Sequence, residues 1–190
     1  MNLKCNAAVA GFLIGLGVII NTLAANPVLG AIFFSFGLLT IIDLQIPLFT
    51  GQIGFIKDKN KKDLLLILIF NLIGIFIAFL LKKYTDSNFY NLLSEKAILK
   101  FNKTFIQMFI DGFFCGTLIH FAVKCKKQLL TLMAVAIFIL IGAEHCIADL
   151  SYLFCVPSLA NLIKFLLVVV GNSCGAILIE NMLKKEGKKL

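Results

Sequence analysis

Six long apolar stretches, separated by short polar segments, account for nearly the whole chain. They run over residues 7–24, 27–55, 64–81, 105–123, 129–156 and 159–182. A helix needs about 20 mostly apolar residues to cross the hydrocarbon core of a bilayer. The pattern therefore predicts an all-α integral membrane protein with six transmembrane helices. A mean hydropathy of +0.98, with 60% apolar residues, agrees with this prediction.

The two halves of the chain resemble each other at a constant offset of 101 residues. The recurring pairs are Gly11 and Gly112, Gly15 and Gly116, Asn71 and Asn172, Gly74 and Gly175, and Asp43 falls opposite Glu144. Each half holds three apolar stretches, so the second copy enters the bilayer inverted relative to the first. We therefore predict a single channel domain over residues 1–190, built from inverted three-helix repeats at about 7–83 and 105–184. The paired glycines are expected to permit close helix packing.

The second and fifth stretches carry polar residues in the middle of otherwise apolar sequence. In the second these are Asp43, Gln45, Pro47, Thr50 and Gln52, and in the fifth Glu144, His145 and Asp149, after Gly142. Proline cannot continue a helix, so the second helix is expected to end near Ile46. Backbone groups freed inside a membrane are tolerated where they are buried in protein or line a watery cavity. Two interrupted helices meeting near the midplane therefore predict a permeation site.

Charge predicts the orientation. The formal net charge is +8, and all 18 basic residues are lysines. Twelve of them flank the stretches on one side: Lys4, Lys57, Lys59, Lys61, Lys62, Lys124, Lys126, Lys127, Lys184, Lys185, Lys188 and Lys189. The positive-inside rule makes that side cytoplasmic. We expect a multi-pass protein of the inner (plasma) membrane, surrounded by the lipid bilayer, with both termini in the cytoplasm and no nucleic-acid partner.

Four short motifs occur in order along the chain. They are Phe34-Ser35-x-Gly37-Leu38, Leu48-Phe49-Thr50-Gly51, Glu144-His145-x-x-Ala148 and Gly171-Asn172-x-x-Gly175. With these motifs the sequence resembles the formate/nitrite transporter family, pentameric channels with aquaporin-like protomers that move formate, nitrite, hydrosulfide or lactate. The resemblance covers all six stretches. It implies a homopentamer that passes small monovalent anions or their conjugate acids together with protons, without a cofactor or a metal.

The resemblance also implies roles for individual residues. An inner constriction would be formed by Leu48, Phe49 and Ile119, and an outer one by Phe34, Leu38 and Phe138. The substrate pathway would contain the pore histidine His145, flanked by Thr50 and Asn172, together with Lys100 in the outer vestibule and Glu144. The chain departs from the family pattern at Gln52, Gly116 and Asp149, so the resemblance does not identify one substrate.

A weak acid could pass such an apolar constriction more easily than its anion. A low dielectric disfavours the charged form of an acid. An anion attracted by Lys100 would therefore take a proton near His145 and pass as the neutral acid. Two possibilities stay open for His145, which either donates the proton or only polarises the anion.

Other interpretations assign these residues structural or enzymatic roles. Glu144 and Asp43 could hold broken helix ends, Asn71 and Asn172 could bridge helices, and His120 could lie at the membrane interface. The six cysteines are expected to serve as small apolar packing residues. Because His145 and Asp149 are four residues apart, with Cys146 nearby, an intramembrane metal-dependent enzyme is one alternative. A purely structural six-helix membrane protein is another.

Overall fold

Nine α-helices and one 3-10 helix form the part of the chain that this computed structural model describes. It covers residues 2–186, without the side chains of residues 185 and 186, so Met1 and the predicted cytoplasmic Lys188 and Lys189 lie outside it. The helices are α1 (Leu3–Leu23), α2 (Pro27–Asp43), α3 (Phe49–Gln52), the 3-10 helix (Ile53–Asp58), α4 (Lys61–Thr85), α5 (Ser87–Phe101), α6 (Phe105–Cys125), α7 (Gln128–Leu140), α8 (Cys146–Leu153) and α9 (Leu159–Glu186). No strand occurs among the described residues.

Four of the described helices, α1, α4, α6 and α9, are long and apolar enough to cross a membrane. Their starts follow ordinary capping chemistry. Asn2 and Asn60 accept backbone N–H groups at the starts of α1 and α4, and Thr104 forms a reciprocal capping box with Gln107 at the start of α6. Many large apolar side chains are exposed on the outside, as expected where lipid replaces water. The predicted all-α multi-pass membrane protein is confirmed.

The long helices pack as two pairs. α1 lies against α4 and α6 lies against α9, while α2 contacts α7 between the two halves. In each pair a glycine lets the two backbones touch. A Cβ atom on Gly74 would overlap backbone atoms of Ala8 and Phe12 on α1, and one on Gly175 would overlap the backbone of Phe113 on α6. The close packing expected of these glycines is therefore present in both halves.

The contacts repeat between the halves, but not at the constant offset of 101 residues. Asn71 and Asn172 are 101 residues apart. Asn71 donates to the Ala7 carbonyl and Asn172 to the Gly112 carbonyl, each on the preceding long helix, and these two carbonyls are 105 residues apart. The two asparagines also bond the carbonyls of Pro47 and Glu144, 97 residues apart. Glu144 is therefore equivalent to Pro47, and the predicted match of Asp43 with Glu144 is wrong. Relative to the offset of 101 residues, the contacts on the first helix of each half are shifted by four residues in one direction, and those at the break by four residues in the other. Four residues are about one helical turn.

A helix that the apolar pattern did not predict lies between the halves. α5 begins after Asp86, whose carboxylate accepts a hydrogen bond from the Phe89 backbone N–H at 3.1 Å. The hydrogen bond from Lys82, with that backbone bond, lowers the pKa of Asp86 below its ordinary value. α5 buries Phe89, Leu93 and other residues on one face, which packs on α1, α4 and α8. This packing brings its polar residues to the candidate site.

Candidate functional site

Both predicted interruptions are present, and each begins with the same helix ending. α2 stops at Asp43 and α7 at Leu140. After each, one residue adopts the left-handed conformation, Gln45 with φ 54° and Gly142 with φ 73°. The next N–H in the chain bonds back to the final turn, from Ile46 to Ile41 and from Ala143 to Phe138. This is the Schellman ending, in which a left-handed residue terminates a helix.

Pro47 does not terminate its helix, contrary to the prediction. The helix has already ended three residues before Ile46, and Pro47 lies in the non-helical segment that follows. In the sequence, Gly142 is the residue that indicates the second break, because glycine adopts a positive φ without strain. The first break has Gln45 at the equivalent position, which no simple sequence rule would select.

Asn71 and Asn172 fasten the two broken segments to the long helices. The Asn172 amide accepts the Cys146 N–H at 2.9 Å and donates to the carbonyls of Gly112 at 2.7 Å and Glu144 at 2.8 Å. Asn71 accepts the Phe49 N–H at 2.8 Å and donates to two carbonyls in the same way. Because both side chains are fully buried and bonded to backbone, the bridging interpretation accounts for their polar atoms.

His145 connects the two breaks. It precedes α8, and its Nδ1 accepts the Ala148 N–H at 3.2 Å, so the imidazole caps that helix. Its Nε2 lies 3.0 Å from Thr50 Oγ1 on α3. Since Nδ1 is an acceptor, the proton of the neutral ring is on Nε2. The predicted neighbours His145 and Thr50 are thus in direct contact, and both are buried.

Aromatic rings cover one side of His145. The Phe138 ring stacks on the imidazole, with centroids 5.9 Å apart and an interplanar angle of 21°. Phe34 meets Phe138 edge-to-face at 5.9 Å. Beyond these rings lies a cavity of about 150 Å³, which we call the lysine cavity and which His145, Phe34, Phe138, Lys96, Lys100 and Asp149 help to line.

A second cavity of about 340 Å³ lies on the far side of the breaks. It is lined in part by Gln45, Leu48 and Gln52, and we call it the glutamine cavity. Three other residues predicted to form constrictions, Leu38, Phe49 and Ile119, are buried and border neither cavity. Thr50 and His145 are both buried, and His145 also lines the lysine cavity. The individual constriction roles stay predictions.

Lys100 and Glu144 belong to a buried ion network at the lysine cavity. Lys100 pairs with Glu144 and lies 3.2 Å from Asp149 Oδ1. Lys103 bonds the other Glu144 oxygen at 2.7 Å, Asp111 at 2.7 Å and the Gly142 carbonyl at 2.6 Å. Burial opposes the Lys100 charge, but the attraction and hydrogen bond of the neighbouring Glu144 carboxylate work against burial, and the pKa of Lys100 is raised. These ion pairs hold Glu144 at the break, which agrees with the interpretation that Glu144 holds a broken helix end.

Lys96 is a residue of this cavity that the sequence analysis missed. Its Nζ donates to the carbonyls of Asn21 at 2.8 Å and Thr22 at 3.3 Å. Within residues 2–184, no carboxylate lies within ion-pair distance of it. Burial lowers the pKa of Lys96. Its position one helical turn before Lys100 would have indicated a shared face, had α5 been recognised.

One further expectation changes, since Asp43 is exposed at the end of α2 and does not hold the break. His120 is fully buried in the protein, where its Nε2 lies 2.8 Å from Glu180, which also pairs with Lys124 at 2.7 Å. The location of His120 at the depth of the membrane interface stays a prediction. Within the described residues, no group of three or more His, Cys, Asp or Glu side chains is placed to hold a metal ion.

The chain matches one transporter family and solved structures that are described as channels. The sequence profile of the family described as "Formate/nitrite transporter" matches residues 1–184. A solved structure described as "Pentameric formate channel with formate bound" superposes with a TM-score of 0.80 at 21% identity, covering 99% of this chain and 97% of that one. Another, an "FNT family ion channel", gives 0.78 at 21% identity, covering 97% and 89%. No curated protein sequence matches significantly.

These comparisons agree with the resemblance inferred from the four motifs. The two structures share the fold, and the family and both structures are transport proteins rather than enzymes. The family match spans nearly the whole sequence, including both breaks and both asparagine bridges. The chain therefore belongs to the formate/nitrite transporter family.

Proposed function

We propose that the protein is a channel for small monovalent weak-acid anions, of the formate, nitrite or hydrosulfide type, which cross together with a proton. The observation that carries this proposal is the buried Thr50–His145 hydrogen bond between two helix breaks, which we infer to lie in an apolar barrier between the lysine and glutamine cavities. The barrier disfavours a bare charge, since transferring an isolated ion into apolar surroundings costs tens of kcal/mol before relaxation. A neutral acid avoids most of this cost.

The polar groups on each side have separate tasks in this mechanism. Lys96 and Lys100 attract an anion into the lysine cavity. The Nε2–H of His145 donates a hydrogen bond to the anion at the aromatic rings, in exchange for its bond to Thr50. Phe34, Phe138, Leu38, Leu48, Phe49 and Ile119 exclude water from the path. The Asn71 and Asn172 amides hold the broken backbone in place, with Asn172 beside the substrate pathway.

The whole chain, residues 1–190, acts as one channel domain with six membrane-spanning segments. The repeats at about 7–83 and 105–184 lie inverted in the bilayer like the halves of an aquaporin protomer. The matching helix endings and asparagine bridges support an internal repeat. The α2–α3 and α7–α8 segments serve as the interrupted second and fifth spans.

Flux measurements test the function directly. Purified protein in proteoliposomes is expected to pass formate, nitrite or hydrosulfide, with lactate and acetate completing the panel. Flux should rise as the pH falls from about 7 to 5, because more of each weak acid can be protonated. Proteoliposomes with no flux of any of these acids above protein-free liposomes would contradict the proposal and support a structural role.

The orientation predicts which loops are accessible from outside. We expect an inner-membrane protein with both termini and residues 57–63 in the cytoplasm. Ser87 and Asn60 are both exposed, at opposite ends of α4. In a variant without native cysteines, Ser87→Cys should react with an impermeant maleimide in intact cells, while Asn60→Cys should react only after permeabilisation. Reaction of both positions in intact cells would contradict this topology.

The functional assembly is proposed to be a homopentamer with one pore in each protomer. The exposed apolar side chains of the long helices supply surface for contacts with lipid and neighbouring protomers. Native mass spectrometry in mild detergent should give about five times the 21.0 kDa chain mass. A monomer under these conditions would exclude the pentamer without affecting the proposed pore.

A further inference from the structure

Asp149 is a buried carboxyl group with unused hydrogen-bonding capacity. It lies on α8, four residues after His145, is 1% exposed and lines the lysine cavity. Neither of its oxygens has a hydrogen-bond partner among the described residues. A buried carboxylate ordinarily accepts several hydrogen bonds, because burying it without them is costly. The oxygens of Asp149 can therefore receive or give a hydrogen bond inside this cavity.

The charges around Asp149 do not fully compensate a second carboxylate. Lys100 Nζ is 3.2 Å from Asp149 Oδ1, within ion-pair range, but it also pairs with Glu144. Glu144 is also paired with Lys103, which is shared with Asp111, so within the ion-paired network two ammonium groups face three carboxyl groups. The other charged or titratable groups near this position are Lys96 on α5, His145 at the break, Cys146 and Tyr152 on α8, and Cys115 on α6. A single proton on Asp149 removes the excess negative charge.

We propose that Asp149 is the proton donor of the lysine cavity, giving its proton to a weak-acid anion held near Lys96, Lys100 and His145. This inference rests on the proposed channel function. When the anion enters, two acidic groups share one proton, as in a carboxyl pair whose like charges cannot both ionise. The Asp149 O–H bond breaks and an O–H bond forms on the substrate, without any change in oxidation state.

The surrounding groups suit each stage of this transfer. The carboxylate left on Asp149 is stabilised by Lys100, and the neutral acid moves toward the aromatic rings and His145. A proton from bulk solution, relayed as hydronium through water in the cavity, then restores the O–H bond of Asp149 and leaves neutral water behind. His145 keeps its proton on Nε2 and its Nδ1 bond to Ala148, so it polarises the substrate without being consumed. Of the two roles left open for His145, this mechanism assigns it polarisation.

The pH dependence of formate flux separates proton donation from a structural role. Asp149→Asn keeps the shape and a hydrogen-bond donor but cannot release a proton. Its flux should follow the neutral acid in bulk solution, which falls about tenfold per pH unit above the acid's own pKa, or roughly 100-fold from pH 5 to pH 7. In wild type the anion is protonated inside the cavity, so its flux should fall less than about tenfold.

A matched control makes the same chemical change elsewhere. Asp63 is exposed in the first turn of α4, so Asp63→Asn should keep the wild-type pH slope. If Asp149→Asn also keeps that slope while wild type conducts, the proton-donor role is wrong and the channel function stands. If wild type conducts none of the tested acids, the proposed function fails, and the donor role fails with it.

Infrared spectroscopy tests the protonation state without any variant. Among the described aspartates, Asp149 alone is buried. Protein labelled with ¹³C-aspartate should show the C=O stretch of a protonated carboxyl group at pH 7, shifted by the label, and formate should weaken this band. Absence of a label-sensitive band at both pH 5 and pH 7 would overturn the proposal, even if Asp149→Asn did not assemble.

Discussion

Replacing His145 with Asn is expected to reduce formate flux at pH 5 by about 10- to 100-fold while leaving the protein folded. An Asn side chain is a good helix N-cap and can still accept the Ala148 N–H. It is too short to place a donor where His145 Nε2 now lies, next to Thr50. A hydrogen bond to a charged group contributes about 1.5–3 kcal/mol, which corresponds to this range of rates.

His145→Gln is the complementary variant, because it should keep a hydrogen-bond donor near the Nε2 position and lose the helix cap. Gln reaches about as far as Nε2, so it should retain more flux than Asn. It gives up the capping bond, so its thermal stability should be lower by about 1 kcal/mol. Stopped-flow flux and thermal unfolding, measured on both variants, check the two expectations separately. Wild-type flux in both variants would show that the imidazole is not needed for permeation.

The largest loss of stability is expected from Asn172→Ala. This change removes the partner of the Cys146 N–H and of two carbonyls, deep in the protein where water cannot replace the amide. Unpaired buried groups cost about 1–3 kcal/mol each, so we expect a loss of at least about 3 kcal/mol. For a chain of this size, that corresponds to a melting temperature lower by roughly 6–12 °C. Asn71→Ala should behave similarly, since it removes the equivalent bridge.

Ser173→Ala is the control for this stability measurement. Ser173 neighbours Asn172 on α9, but its hydroxyl bonds only the Val169 carbonyl of the same helix at 2.8 Å. The change should alter stability by less than about 0.5 kcal/mol. Thermal unfolding in one detergent compares the three variants. An Asn172→Ala protein as stable as Ser173→Ala would show that the bridge does not hold the break.

The sequence predicted those parts of the fold that depend on long apolar runs and on residues with special backbone properties. The four long helices follow from hydropathy, and Gly142 marks the ending of α7. The contact of Thr50 with His145 followed from the family resemblance, which fixes positions that spacing alone does not. The asparagine bridges were recognised as one of two possibilities, because an amide suits both substrate contact and backbone pairing.

Other features depend on contacts between distant segments and could not be read from local sequence. α5 is less apolar than the other long helices, so hydropathy does not reveal it or the position of Lys96. The one-turn shift between the repeats is a property of helix packing, and an ungapped comparison conceals it. The pairing of His120 with Glu180, which is 60 residues away, could likewise not be predicted from local sequence.

The shifted equivalence also changes which residue of the first half corresponds to His145. Both breaks end in a residue that precedes a short helix, Leu48 before α3 and His145 before α8, and these residues are 97 apart. Leu48 makes no side-chain capping bond, whereas His145 does. The two breaks therefore have similar backbone geometry but different side chains. The first half presents the hydrocarbon side chain of Leu48, and the second presents the hydrogen-bond donor of His145. In the proposed channel, a permeating acid would therefore meet chemically unlike side chains at the two breaks, although their scaffold is repeated.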